Sequence, residues 1–133
     1  MEKLEHIGIA VKNLDKANQL FAQLLGKVHY KIEEVASEGV RTSFFELGGV
    51  KIELLEATHA HSPIAKFIEK RGEGIHHIAI RVDDIEDALE RFKKSGARLI
   101  DSAPRRGAHN TRTAFVHPAS THGVLLELVE HGK

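Results

Sequence analysis

The chain has 133 residues, one domain's worth of sequence, with 19 Lys and Arg balanced by 19 Asp and Glu. That balance argues against nucleic acid or a membrane surface as partner, and 41% hydrophobic residues suffice for a core, which excludes a disordered chain. With no cysteine, disulfides, thiolate nucleophiles and zinc–thiolate sites are excluded together. No apolar run approaches the ~20 residues of a membrane span, and the opening MEKLEHIGIAV lacks a signal peptide's apolar stretch, so a cytoplasmic location is expected. Ten His beside a single Met restrict any metal ligands to imidazole nitrogen and carboxylate oxygen.

The first expected element is a half-buried strand over 4–11, with Leu4, Ile7, Ile9 and Val11 broadly apolar and His6, Gly8 and Ala10 on the opposite face. Asn13 is placed to cap a helix carrying Leu14, Ala17, Leu20, Phe21, Leu24 and Leu25 at helical spacing, and Gly26 sits where it should stop. Three β-like stretches follow, at about 28–35, 40–47 and 50–56. A connector helix over about 62–72 opens with Ser62 as cap and Pro63 in the first turn, and closes at Lys70-Arg71-Gly72. The pattern then starts again. A strand from Ile75 carries His77, Ala79 and Arg81 on one face, Asp84 caps a helix with Ile85, Ala88, Leu89 and Phe92, and Gly96 ends it. The last β-like stretches are about 97–101, 112–116 and 123–130.

The two halves are copies. At a constant offset of 71, His6/His77, Ile7/Ile78, Ile9/Ile80, Val11/Val82, Ala17/Ala88 and Phe21/Phe92 are identical, as are Thr42/Thr113 and Phe44/Phe115. Each half ends alike, Ile52-Glu53-Leu54-Leu55-Glu56 against Leu126-Glu127-Leu128-Val129-Glu130, now at offset 74. A long period occurring twice is a duplicated βαβββ subdomain and not a solenoid. The expected organisation is one α+β domain over 1–133, with module 1 at about 4–56 and module 2 at about 75–130.

Pseudo-twofold symmetry brings equivalent positions to a shared centre. The polar residues that recur on otherwise apolar strands are His6 with His77 and Glu53 with Glu127. Two His and two carboxylates leave one or two positions open on a five- or six-coordinate divalent ion, which a catalytic site needs. Taken singly, such a His is more often a hydrogen-bonded strand residue than a ligand, and such a Glu is usually on the solvent side; their recurrence favours the metal site.

The repeat resembles the vicinal-oxygen-chelate (glyoxalase-like) superfamily over nearly the whole chain. Within it the sequence is similar to the methylmalonyl-CoA epimerase family, through LEHIGIAV, the run ELLEATHAHSPIAKFIEKRGEGIHHIAIRVDDI and the closing RRGAHNTRTAFVHPASTHGVLLELVE. The resemblance implies a curved mixed sheet around a metal site, with His6, Glu53, His77 and Glu127 as ligands of one divalent ion. Cobalt comes first, then nickel, manganese or zinc. It implies an acyl-coenzyme A substrate, with Glu127 and Glu53 as the bases that move the C2 proton through a metal-stabilised enolate, a role in propionate metabolism, and a homodimer. Ligation lowers a carboxylate's basicity, so at least one should loosen from the ion when substrate arrives.

One feature departs from the pattern. Some members carry an acidic residue two positions after the Gly-Val of the second strand; here Gly39-Val40 is followed by Arg41 and Thr42. Pro104 to Asn110, with Gly107, Ala108 and His109 at its centre, reads either as a substrate-binding flap or as a solvated hairpin. Lys66, Lys70 and Arg71 could meet coenzyme A phosphates or simply be solvated, and His76 is expected to be structural. Rival functions are a glyoxalase I-type lactoylglutathione lyase and a non-catalytic small-molecule binding protein.

Overall fold

A computed structural model describes residues 2–107 and 109–132, which form eight strands and three α-helices. Their order is β1 (Lys3–Ala10), α1 (Leu14–Leu25), β2 (Lys31–Val35), β3 (Val40–Leu47), β4 (Val50–Ala57), α2 (Pro63–Arg71), β5 (Gly74–Arg81), α3 (Ile85–Lys94), β6 (Arg105–Arg106), β7 (Thr111–Val116) and β8 (Leu126–His131). The chain divides into two compact units, residues 6–76 and residues 1–5 with 77–133. Each contains one copy of the βαβββ repeat.

In the unit spanning 6–76 the strands run in the order β2-β3-β4-β1, with β1 and β4 parallel and the other pairs antiparallel. Asn13 caps α1, its side chain accepting the Lys16 N–H, and Gly26 ends the helix in the left-handed region at φ 70°, which glycine adopts without steric cost. One sheet face packs on α1 through Phe45, Leu54 and Leu14, all fully buried. Truncating Leu54 to Ala would cost about 2–5 kcal/mol. On the other face Ile64 and Phe67 of α2 cover Ala10, Val40 and Leu55. Ser62 caps α2 by accepting the N–H groups of Ile64 and Ala65, with Pro63 in the first turn as expected.

The other unit repeats the plan in the order β5-β8-β7-β6, with β5 and β8 parallel. Asp84 caps α3, which packs Ile85, Ala88 and Leu89 against Ala114, Val116 and Leu128. The expected strand over 97–101 is the one element that fails to form. Only Leu99 bridges to Val116. Ile100 and Asp101 both donate their N–H groups to the Phe115 carbonyl, at 3.0 and 3.3 Å. The Asp101 carboxylate takes the Phe115 N–H at 2.9 Å. A side chain has thus replaced a backbone rung, and the ladder bulges. Regular pairing resumes only at β6, where Arg105 opposes Thr113 and Arg106 opposes Arg112. Among the described residues, no helix is long and apolar enough to cross a membrane.

Candidate metal centre

Side chains alternate across a strand, so register decides which polar groups can meet. Glu53 on β4 is level with Gly8 on β1 and with Phe44 on β3. His6 stands two residues before Gly8, on the same face, and Gly8 puts no side chain between them. The His6 Nδ1 lies 3.3 Å from a Glu53 carboxylate oxygen, with the two side chains 9% and 13% exposed.

The other unit builds the same arrangement. Glu127 on β8 is level with Ala79 on β5 and Phe115 on β7, the repeat equivalents of Gly8 and Phe44. His77 stands two residues before Ala79, and its Nε2 is 3.4 Å from a Glu127 oxygen, with side-chain exposures of 9% and 12%. Its ring meets the Phe115 ring edge-on at 6.0 Å. Burying carboxylate and imidazole on an apolar strand is costly without a charged partner. Two donor atoms about 2.1 Å from one octahedral ion, at right angles, sit about 3 Å apart. Each pair therefore has the donor types and nearly the spacing that a divalent cation requires of two adjacent ligands.

The second carboxylate of each repeat does something else. Glu56 accepts the Leu14 N–H at the start of α1 at 2.8 Å and a hydrogen bond from Arg41 at 3.3 Å. Glu130, its equivalent, accepts the Ile85 N–H at the start of α3 at 3.0 Å. The Nε and Nη2 of Arg112 donate to Glu130 at 3.0 and 2.8 Å, and Nη2 also reaches Glu86 at 2.8 Å. The Ile85 N–H, then Arg112, hold the Glu130 carboxyl below its ordinary pKa, while Glu86 and Glu130 raise that of Arg112. Arg41, which follows Gly39-Val40, is thus committed to a helix tether. Thr42 beside it is buried and uncharged.

Within the segment from Pro104 to Asn110, Arg105 and Arg106 form β6. Gly107 donates its N–H to the Thr111 carbonyl at 2.9 Å. A Cβ on Gly107 would fall 2.5 Å from the Thr111 hydroxyl and 2.9 Å from a Thr113 methyl, so a larger residue there would force those side chains to shift. His109 and Asn110, just before β7, both lie in the left-handed region, at φ 55° and 58°. Ala108, grouped with Gly107 and His109 as a candidate substrate contact, lies outside the described residues. What the sequence reading missed is the environment of Phe115. Its recurrence with Phe44 at offset 71 marked both rings as repeat positions, and strand phase would have put both beside a site carboxylate.

Other histidines have structural partners. His76 packs edge-on against Phe67 at 5.0 Å, and burial pushes its pKa down. His117 accepts the Ala119 N–H at 3.0 Å, and His131 pairs with Glu5 at 3.0 Å. On α2, Arg71 lies over the Phe67 ring at 5.9 Å.

Tandem βαβββ units, each presenting a His–Glu pair from its first and last strands, make a duplicated scaffold that carries the donor groups of a candidate metal centre. The chain belongs to the Glyoxalase/Bleomycin resistance protein/Dioxygenase superfamily, whose family model matches residues 5–115. Within that superfamily it groups with isomerases. It is 40% identical over 129 residues to the mitochondrial methylmalonyl-CoA epimerase of Dictyostelium discoideum, covering 96% of this chain and 78% of that one. It is also 40% identical over 128 residues to the ethylmalonyl-CoA/methylmalonyl-CoA epimerase of Cereibacter sphaeroides, covering 95% and 96%. A solved structure of methylmalonyl-CoA epimerase in complex with methylmalonyl-CoA and NH4+ superimposes with a TM-score of 0.90 at 33% identity, covering 99% of this chain and 96% of that one.

Proposed function

We propose that this chain is a divalent-metal-dependent epimerase that interconverts the (R) and (S) forms of methylmalonyl-CoA. The observation that carries the reading is the duplicated His–Glu pair, His6 with Glu53 and His77 with Glu127, nearly buried in both copies. Its likeness to named epimerases over nearly all its length supports the choice of substrate.

In this reading all four side chains hold one ion, with cobalt the first candidate. When bound, the ion supplies Lewis acidity where the thioester oxygen gathers negative charge as C2 loses its proton. The protein's own contribution is proton transfer. Inverting C2 requires a proton to be taken from one face and another returned to the opposite face. Duplication supplies one carboxylate per half, so Glu127 and Glu53 divide the two faces between them, each alternating as base and acid. The Phe44 and Phe115 rings, level with these carboxylates, keep water from competing for the proton.

The test is proton NMR of methylmalonyl-CoA in heavy water with the purified protein, before and after chelation and metal return. Protein- and metal-dependent loss of the C2 proton signal, with conversion between epimers, is expected. Absence of exchange with metal bound would reject the epimerase and turn attention to the hemithioacetal of glutathione as substrate. We further propose a cytoplasmic homodimer, which sedimentation of the purified chain would test for its assembly.

A further inference from the structure

Arg105 stands beside the His77–Glu127 pair, oriented by one ion pair and one ring contact. Register places it opposite Thr113, on the face that carries Phe115, Glu127 and Ala79, whereas its neighbour Arg106 opposes Arg112 on the other face. Its guanidinium lies over the Phe115 ring, 5.9 Å from the centroid, and the same ring meets His77 at 6.0 Å. The guanidinium is thus one aromatic ring away from the His77–Glu127 pair. Asp101 holds its Nε at 3.5 Å. Asp101 is itself fixed, its second oxygen accepting the Phe115 N–H. Ring and carboxylate therefore orient the side chain from beneath and behind, while 57% of it remains exposed. A guanidinium held by Nε and by its face still has its outer N–H groups to offer, and their planar fork matches the paired oxygens of a carboxylate or phosphate.

We infer that Arg105 is a substrate-anchoring residue that binds an oxyanion of the acyl-CoA, either the free carboxylate of the acyl group or a phosphate of the coenzyme. The inference rests on the epimerase reading; in the first half the counterpart of Phe115, Phe44, has Lys31 over its ring at 5.5 Å, and Lys31 pairs there with Glu33 at 2.7 Å.

The experiment compares the metal-loaded wild type with Arg105→Met, which keeps a side chain over Phe115, and with Arg105→Lys. Turnover and calorimetric binding are measured with methylmalonyl-CoA and with the methylmalonyl thioester of pantetheine, which lacks phosphate. Losing a charge-assisted contact should raise KM and Kd about 10- to 100-fold in Arg105→Met, with a much smaller fall in kcat and partial recovery in Arg105→Lys. A loss seen with both thioesters supports anchoring of the carboxylate, and a loss confined to the coenzyme A ester supports the phosphate. Unchanged KM and Kd with both, while the wild type turns over, would overturn the anchor alone. Wild-type protein that neither binds nor turns over methylmalonyl-CoA would overturn the epimerase reading and the anchor with it.

Discussion

Strands β4 and β8 each carry two carboxylates three residues apart, and the two meet different environments. Glu53 and Glu127 turn toward a histidine on the first strand of their half. Glu56 and Glu130 turn the other way, to the opening N–H of the helix that precedes them in the same repeat and to an arginine from the adjacent strand. An odd spacing on a strand sends side chains to opposite faces, so one duplicated peptide supplies both a candidate reactive group and a structural tether. Residue type does not separate these roles; strand phase does.

That contrast can be broken from either side. Removing the divalent ion with a chelator should abolish C2 proton exchange, and returning cobalt should restore it, while the helix tethers hold the fold. Exchange rates before and after dialysis decide this. Glu127→Gln should lower kcat by about 10²- to 10⁴-fold, the usual worth of a positioned base, with a thermal midpoint close to wild type. Glu53→Gln sharpens the two-base account: it should still wash the C2 proton from one epimer into heavy water, without net inversion, and Glu127→Gln should wash it from the other. Equal washout of both epimers by either variant would mean that a single group serves both faces.

The tether variants should show the reverse profile. Glu130→Gln should cost about 1–2 kcal/mol of stability in urea unfolding, while kcat per folded molecule stays within about twofold of wild type. Glu56→Gln should cost less, because Arg41 makes one contact where Arg112 donates twice to Glu130 and once to Glu86. The smallest effect is in pH. The folded-state pKa of Glu130 is depressed, so its contribution is present above the unfolded carboxylate value of 4.5 and is lost as pH falls through the lower folded value. Acid unfolding of Glu130→Gln should accordingly be shallower than that of the wild type.

Much of this was legible in the sequence because duplication doubles the signal. His6 and His77, like Glu53 and Glu127, are polar exceptions at matched places on apolar strands, and the caps Asn13, Ser62 and Asp84 act where local chemistry put them. The segment over 97–101 misled because its Leu99 and Ile100 satisfy strand propensity, whereas the outcome depends on Asp101 reaching a backbone N–H fourteen residues away. The tethers were hidden for a related reason. Arg41/Arg112 and Glu56/Glu130 recur at the repeat offsets, yet nothing local links Glu56 to a helix N–H 42 residues earlier. Long-range pairing of a side chain with a helix terminus is a tertiary event, outside the reach of periodicity.

The central claim is that the two His–Glu pairs serve one ion, and a crystal structure of the cobalt-loaded protein tests it most directly. The account predicts a single anomalous peak at the cobalt edge, about 2.0–2.3 Å from donor atoms of His6, Glu53, His77 and Glu127. Cobalt bound elsewhere, or two ions each held by one pair, would contradict it.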